Sequence, residues 1–129
     1  AGGMTRSKSL QVLVVDDDLD LLKMLKLRFE AAGFEFMRAE NGREMLELLD
    51  IKKPDVILLD IILPKMDGYS ALRQMRAKDE LKDIPVIILS AKQKDKLGDL
   101  FALEDVADFV EKPFETDVLI EKIKKATGE

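Results

Sequence analysis

Apolar residues along this chain come in two rhythms. Val12–Val15, Val56–Leu59 and Val86–Leu89 are runs of four consecutive apolar residues, and Phe109–Val110 with its neighbours makes a further short run. Unbroken apolar runs of this length, rich in Val and Ile, predict strands covered by helices on both faces. Between them the spacing changes to three and four. Leu22, Leu25, Phe29 and Ala32 form one helical stripe, closed by Gly33, the residue type favoured just beyond a helix C-terminus. Asn41 is placed to cap a second helix that carries Met45, Leu46, Leu48 and Leu49. Tyr69, Leu72 and Met75 mark a third helix, Leu97, Leu100 and Phe101 a fourth, and Leu119, Ile120 and Ile123 a fifth. Phe34-Glu35-Phe36-Met37-Arg38 mixes polar with apolar residues, which predicts a strand at a sheet edge. Five strands alternating with five helices predict an α/β architecture of βα units around a parallel sheet. The charged stretch Lys78–Asp83 reads as a solvated connection.

The 129 residues suffice for one domain with one core. Lys and Arg number 21 against 26 Asp and Glu, a net charge of −5 without basic clustering. Direct nucleic-acid binding is therefore disfavoured, because phosphate backbones are held by concentrated positive charge. The chain has no Cys and no His, which excludes disulfides, thiolate nucleophiles, Ser-His-Asp triads and His-ligated zinc. Chemistry is left to carboxylates, hydroxyls and lysines. Runs of four apolar residues are far short of the roughly 20 that span a bilayer, so no membrane association is expected. Ala1-Gly2-Gly3 lacks the features of a signal peptide and reads as a cloning scar ahead of Met4; the expected location is cytoplasmic.

In an open parallel sheet, ligands bind beyond the carboxyl ends of the strands. Those ends carry Asp16-Asp17-Asp18, Asp60, Ser90 and Lys112-Pro113. Right-handed crossovers bring all of them to one edge, so residues far apart in sequence are expected to share a site. Two carboxylates about 4 Å apart repel by roughly 1 kcal/mol in water and about 4 kcal/mol at an effective dielectric near 20. Such a cluster calls for a cation, and oxygen ligands with open positions suit Mg²⁺.

Each residue also has an ordinary structural reading. Asp18 or Asp20 fits a helix N-cap, Ser90 a turn or cap hydroxyl, and Lys112 a solvated charge. Capping cannot use both Asp16 and Asp17, and an ionised Asp60 directly after Val-Ile-Leu-Leu is costly unless paired. The alternation Asp16-x-Asp18-x-Asp20 opens like a calcium loop, but Leu21 stands where Gly is needed and Leu27 where Glu is needed. No Gly-rich phosphate loop is present in the sequence.

Four motifs in order, Val14-Val15-Asp16-Asp17-Asp18, Asp60 followed by Leu63-Pro64-x-Met66-Asp67-Gly68, Val86-Ile87-Ile88-Leu89-Ser90-Ala91, and Phe109-Val110-Glu111-Lys112-Pro113-Phe114, resemble the receiver domain of bacterial two-component response regulators. The resemblance covers residues 10–126, leaving 1–9 and 127–129 as tails. It implies a flavodoxin-like, doubly wound, five-stranded parallel sheet of order 2-1-3-4-5 with five helices. It also implies a phosphoacceptor switch, not a turnover enzyme, with Mg²⁺-assisted self-phosphorylation and self-dephosphorylation. Asp60 then corresponds to the phosphoacceptor that takes a phosphoryl group from a histidine kinase or a histidine phosphotransfer protein. Asp16 and Asp17 correspond to the acidic pair that holds Mg²⁺ with Asp60, and the Ile62 backbone carbonyl to a further ligand. Ser90 matches the switch hydroxyl, Lys112 the lysine that contacts the phosphoryl group, and Phe109 the switch aromatic. The responding surface would be formed by the fourth and fifth helices and the fifth strand. An effector domain or target protein, and a phosphorylation-linked homodimer, are the further partners implied.

Asp105-Val106-Ala107-Asp108 departs from the family's Gly-Ala before an acidic pair, and Lys112-Pro113 matches its cis peptide bond. Ile62, two positions after Asp60, and Lys92, two after Ser90, are expected to lengthen the phosphorylated state. The rival reading is a Mg²⁺-dependent aspartyl-phosphate hydrolase of the haloacid-dehalogenase type, which also opens with an apolar strand and Asp-x-Asp.

Overall fold

The computed structural model describes residues 9–60, 67–90 and 106–128. In chain order these form β1 (Gln11–Val15), α1 (Leu19–Ala31), β2 (Glu35–Ala39), α2 (Gly42–Ile51), β3 (Val56–Asp60), α3 (Asp67–Arg76), β4 (Val86–Ser90), β5 (Asp108–Glu111) and α4 (Thr116–Thr127). The five strands make one sheet of order β2-β1-β3-β4-β5, and every neighbouring pair is parallel. Four of the five expected helices are therefore in place, the fifth expected segment being α4. The segment around Leu97–Phe101 lies outside the described residues, as do Ile62 and Lys92.

The unbroken apolar runs are explained by the two faces of the sheet. Leu13, Val15, Ile57, Leu59, Val86 and Ile88 point to one side, where Met45 of α2 and Leu72 and Met75 of α3 cover them. Val12, Val14, Val56, Leu58, Ile87 and Leu89 point to the other, against Leu22, Leu25 and Phe29 of α1 and Leu119 and Ile123 of α4. Each central strand thus spends alternate residues on two cores, and neither can be polar. The mixed segment forms β2, at the margin of the sheet as expected, with Glu35 and Arg38 exposed.

One expectation is corrected at the end of α1. Ala32 is exposed and is the helix C-cap, not part of the buried stripe. Gly33 has φ +93°, its N–H donates to the Glu30 carbonyl, and the Phe34 N–H donates back to the Phe29 carbonyl. That reversal seats the Phe34 ring edge-on to Phe29, with centroids 5.8 Å apart, so Phe34 fills the position the stripe assigned to Ala32. The Lys78–Asp83 connection is exposed as expected at every residue but one. Leu81 within it is buried, and the Arg76 guanidinium donates to the carbonyls of Lys82 and Ile84 at 2.8 and 2.9 Å, which ties the segment to the end of α3.

Candidate metal and phosphoryl site

Parallel pairing sets the site by bringing strand ends into register. Val15 pairs with Leu59 and Asp60 with Leu89, so Asp16, Asp60 and the residues after β5 emerge along one edge. Asp16 continues the β1 ladder by donating its N–H to the Ala39 carbonyl at 3.0 Å, and its side chain turns inward, fully buried. Asp60, the last residue of β3, is 6% exposed. Asp17 is exposed beside them. Carboxylate oxygens of Asp16, Asp17 and Asp60 all lie within 4.8 Å of one another, which fits the donor set of a hard divalent cation.

Lys112 enters this cluster from beyond β5. Its Nζ donates to Asp16 Oδ2 at 2.6 Å and to Asp60 Oδ2 at 3.3 Å, joining residues 96 and 52 positions apart in sequence. Burial alone would push the ammonium down. The hydrogen bond and charge of Asp16, and then the charge and hydrogen bond of Asp60, outweigh that and hold Lys112 above its ordinary value. The Lys112-Pro113 peptide bond is cis, as the resemblance implied.

The loop after β1 is held by its own acids. Asp16 Oδ1 accepts the Asp18 N–H at 2.9 Å, and Asp18 Oδ1 accepts the Leu21 N–H at 3.1 Å as the N-cap of α1. Of the two alternatives for capping, Asp18 takes the role, while Asp20 lies in the first turn. Phe109 is half-buried on β5, packed against the core shared with α2 and α3. Ser90 ends β4 opposite Glu111; its side chain lies outside the described part of the molecule.

The structure therefore brings Asp16, Asp17, Asp60 and Lys112 together and sets the backbone of Ser90 on the same edge. Sequence reasoning assigned Lys112 to a phosphoryl group and missed its bridge between Asp16 and Asp60, which no local pattern signals.

A model of the response regulator receiver domain matches residues 12–124. The chain belongs to that family. This disposes of the hydrolase reading. The receiver is 40% identical over 118 residues to the transcriptional regulatory protein PrrA of Mycobacterium tuberculosis, covering 90% of this chain and 49% of that protein. It is 37% identical to the chemotaxis protein CheY of Listeria monocytogenes, covering 91% of this chain and 98% of that protein. The receiver thus spans about half of the length of PrrA and nearly all of CheY. Among solved structures, the receiver domain of the Francisella response regulator 1452 superposes with a TM-score of 0.82 at 32% identity, covering 93% of this chain and 98% of that one. The sheet order that the resemblance implied, 2-1-3-4-5, is the one observed, and among the described residues no helix is long and apolar enough to cross a membrane.

Proposed function

We propose that this receiver is a phosphoacceptor switch in which Asp60 takes a phosphoryl group from the phosphohistidine of a histidine kinase or of a histidine phosphotransfer protein. The observation that carries this reading is the bridge from Lys112 Nζ to Asp16 and Asp60 beside the third carboxylate, Asp17. An Asp60 oxygen attacks phosphorus, the P–N bond breaks, and its electron pair returns to the imidazole, which takes up a proton. Lys112 swings its ammonium from the carboxylates toward the transferred phosphoryl oxygens, offsetting charge where it accumulates. Asp16, Asp17 and Asp60 would hold Mg²⁺, with the Ile62 carbonyl as a further ligand. When bound, the cation neutralises the carboxylates and the incoming phosphoryl oxygens. The Ser90 hydroxyl then hydrogen-bonds a phosphoryl oxygen, and Phe109 moves inward into the space vacated. The change is read on the surface of β5, α4 and the segment between β4 and β5. The output is carried by an effector domain or a target protein, or by pairing of two phosphorylated copies.

Intact-mass measurement with acetyl phosphate tests this. One phosphate is expected in Mg²⁺, none after chelation and none in Asp60→Asn. Phosphate retained in Asp60→Asn overturns the assignment.

A further inference from the structure

Three bonds meet at Asp18. Its N–H donates to Asp16 Oδ1 at 2.9 Å, its carboxylate accepts the Leu21 N–H at 3.1 Å, and its carbonyl accepts the Leu22 N–H at 3.0 Å. Asp18 is exposed, with φ −86° and ψ 101°, the extended conformation that an N-cap requires. The side-chain cap fixes this backbone, and the backbone fixes the direction of the N–H. Asp16 is fully buried, and each of its carboxylate oxygens has a partner, Oδ1 on the Asp18 N–H and Oδ2 on Lys112. Without the first bond the Asp16 carboxylate is held through one oxygen alone, by Lys112, and its χ2 is a broad torsion that this single contact constrains less.

Resting on the metal reading above, we propose that Asp18 is a positioning residue for the divalent cation: by capping α1 it orients the main-chain N–H that locks the Asp16 carboxylate in its ligating pose. The helix start and the metal site are then one hydrogen-bonded unit, the cap acting on the cation through Asp16 and not as a ligand. This differs from an electrostatic role. Asn keeps the capping oxygen and lacks the charge, whereas Ala lacks both.

The experiment is an NMR-followed titration with Mg²⁺ alone on the wild-type chain, Asp18→Asn, Asp18→Ala and Asn41→Ala, with a thermal midpoint for each. Asn41 caps α2 by accepting the Glu44 N–H at 2.9 Å and is not a member of the carboxylate cluster, so it controls for loss of a cap as such. Asp18→Ala should bind Mg²⁺ roughly tenfold more weakly, the low end of what losing an outer hydrogen-bonding partner costs a metal site. Asp18→Asn should stay within about twofold, because an exposed charge is screened. Asn41→Ala should lose thermal stability as Asp18→Ala does and keep wild-type Mg²⁺ affinity. Equal weakening in Asp18→Asn and Asp18→Ala would assign the effect to charge and overturn the proposal. Unchanged affinity in Asp18→Ala, or equal loss in Asn41→Ala, would also overturn it. A wild-type chain that fails to bind Mg²⁺ would overturn the metal reading itself, and the positioning role with it.

Discussion

Asp108, the first residue of β5, accepts a hydrogen bond from Lys122 of α4 at 3.0 Å, pinning the last helix to the outer strand of the sheet. Burial pushes the Asp108 carboxyl up, but the Phe109 N–H, the Lys122 hydrogen bond and the charges of Lys122 and Lys125 together hold it below its ordinary value. A carboxylate with a lower pKa folded than unfolded contributes stability above the unfolded value, and the contribution is lost as pH falls through the folded one. Lys122→Met should therefore lose stability near neutrality, by less than about 1 kcal/mol because both side chains are partly solvated. The loss should shrink below about pH 4, where Asp108 is increasingly protonated. Urea unfolding across that range checks it, and a difference that persists undiminished in acid would contradict it.

Lys112 has the opposite sign. Its pKa is raised by its partners, so its contribution is complete below the ordinary lysine range and is lost only as pH climbs through the folded value. Lys112→Met leaves two buried carboxylates without their ammonium partner and should destabilise the metal-free protein by about 3–5 kcal/mol. Mg²⁺ should then raise the melting temperature of the variant more than that of the wild type, since binding to the folded state stabilises by mass action. Equal Mg²⁺ responses in the two proteins would show that lysine and cation do not share those oxygens.

Phe29 is completely buried and contacts both Phe34 and Phe36, with ring centroids 5.8 and 6.3 Å away. Phe29→Ala should cost about 3–5 kcal/mol, read as a lower urea midpoint. Phe34→Ala should cost less, since Phe34 keeps 7% exposure at the margin of that core.

Resting on the proposed phosphoacceptor role of Asp60, we propose that Ile62 and Lys92 lengthen the life of the phosphorylated state. Hydrolysis needs a water aligned with the Asp60–phosphorus bond, and an isoleucine two positions after Asp60 offers that water no hydrogen bond. On the same proposal Lys92, two after Ser90 in the sequence, would supply a cation to the phosphoryl oxygens. Ile62→Asn should accelerate loss of phosphate roughly tenfold, about 1.4 kcal/mol of barrier. Following phosphate loss after removal of the donor decides it, and an unchanged or slower rate would exclude the water-blocking role.

The sequence made the fold legible wherever an element's pattern depends on its own neighbours. β1, β3 and β4 carry the apolar runs Val12–Val15, Val56–Leu59 and Val86–Leu89 because two cores claim alternate residues, and the caps at Asp18 and Asn41 are local hydrogen bonds between residues three apart. Strand-end carboxylates were legible because topology carries them to one edge. The sequence could not place Ala32, because whether the last apolar residue of a stripe is buried depends on how the chain leaves the helix. Nor could it show Arg76 reaching the carbonyls of Lys82 and Ile84, or Lys112 bridging Asp16 and Asp60. Those contacts depend on how long, flexible side chains close across segments, and amino-acid spacing carries no trace of that.

Among the described residues β2 and β5 are the outer strands of the sheet, which bears on self-association. β2 presents Glu35 and Arg38 to solvent, the former within 3.7 Å of Lys52 and the latter within 3.6 Å of Glu40, and β5 is only four residues long with Asp108 and Glu111 at its ends. Strand-by-strand growth of the sheet into a neighbour would have to strip solvent from these charges, and a short, charged edge offers few main-chain hydrogen bonds in return. Fibrous stacking is thereby discouraged at both ends of a sheet whose central strands are almost entirely Val, Ile and Leu.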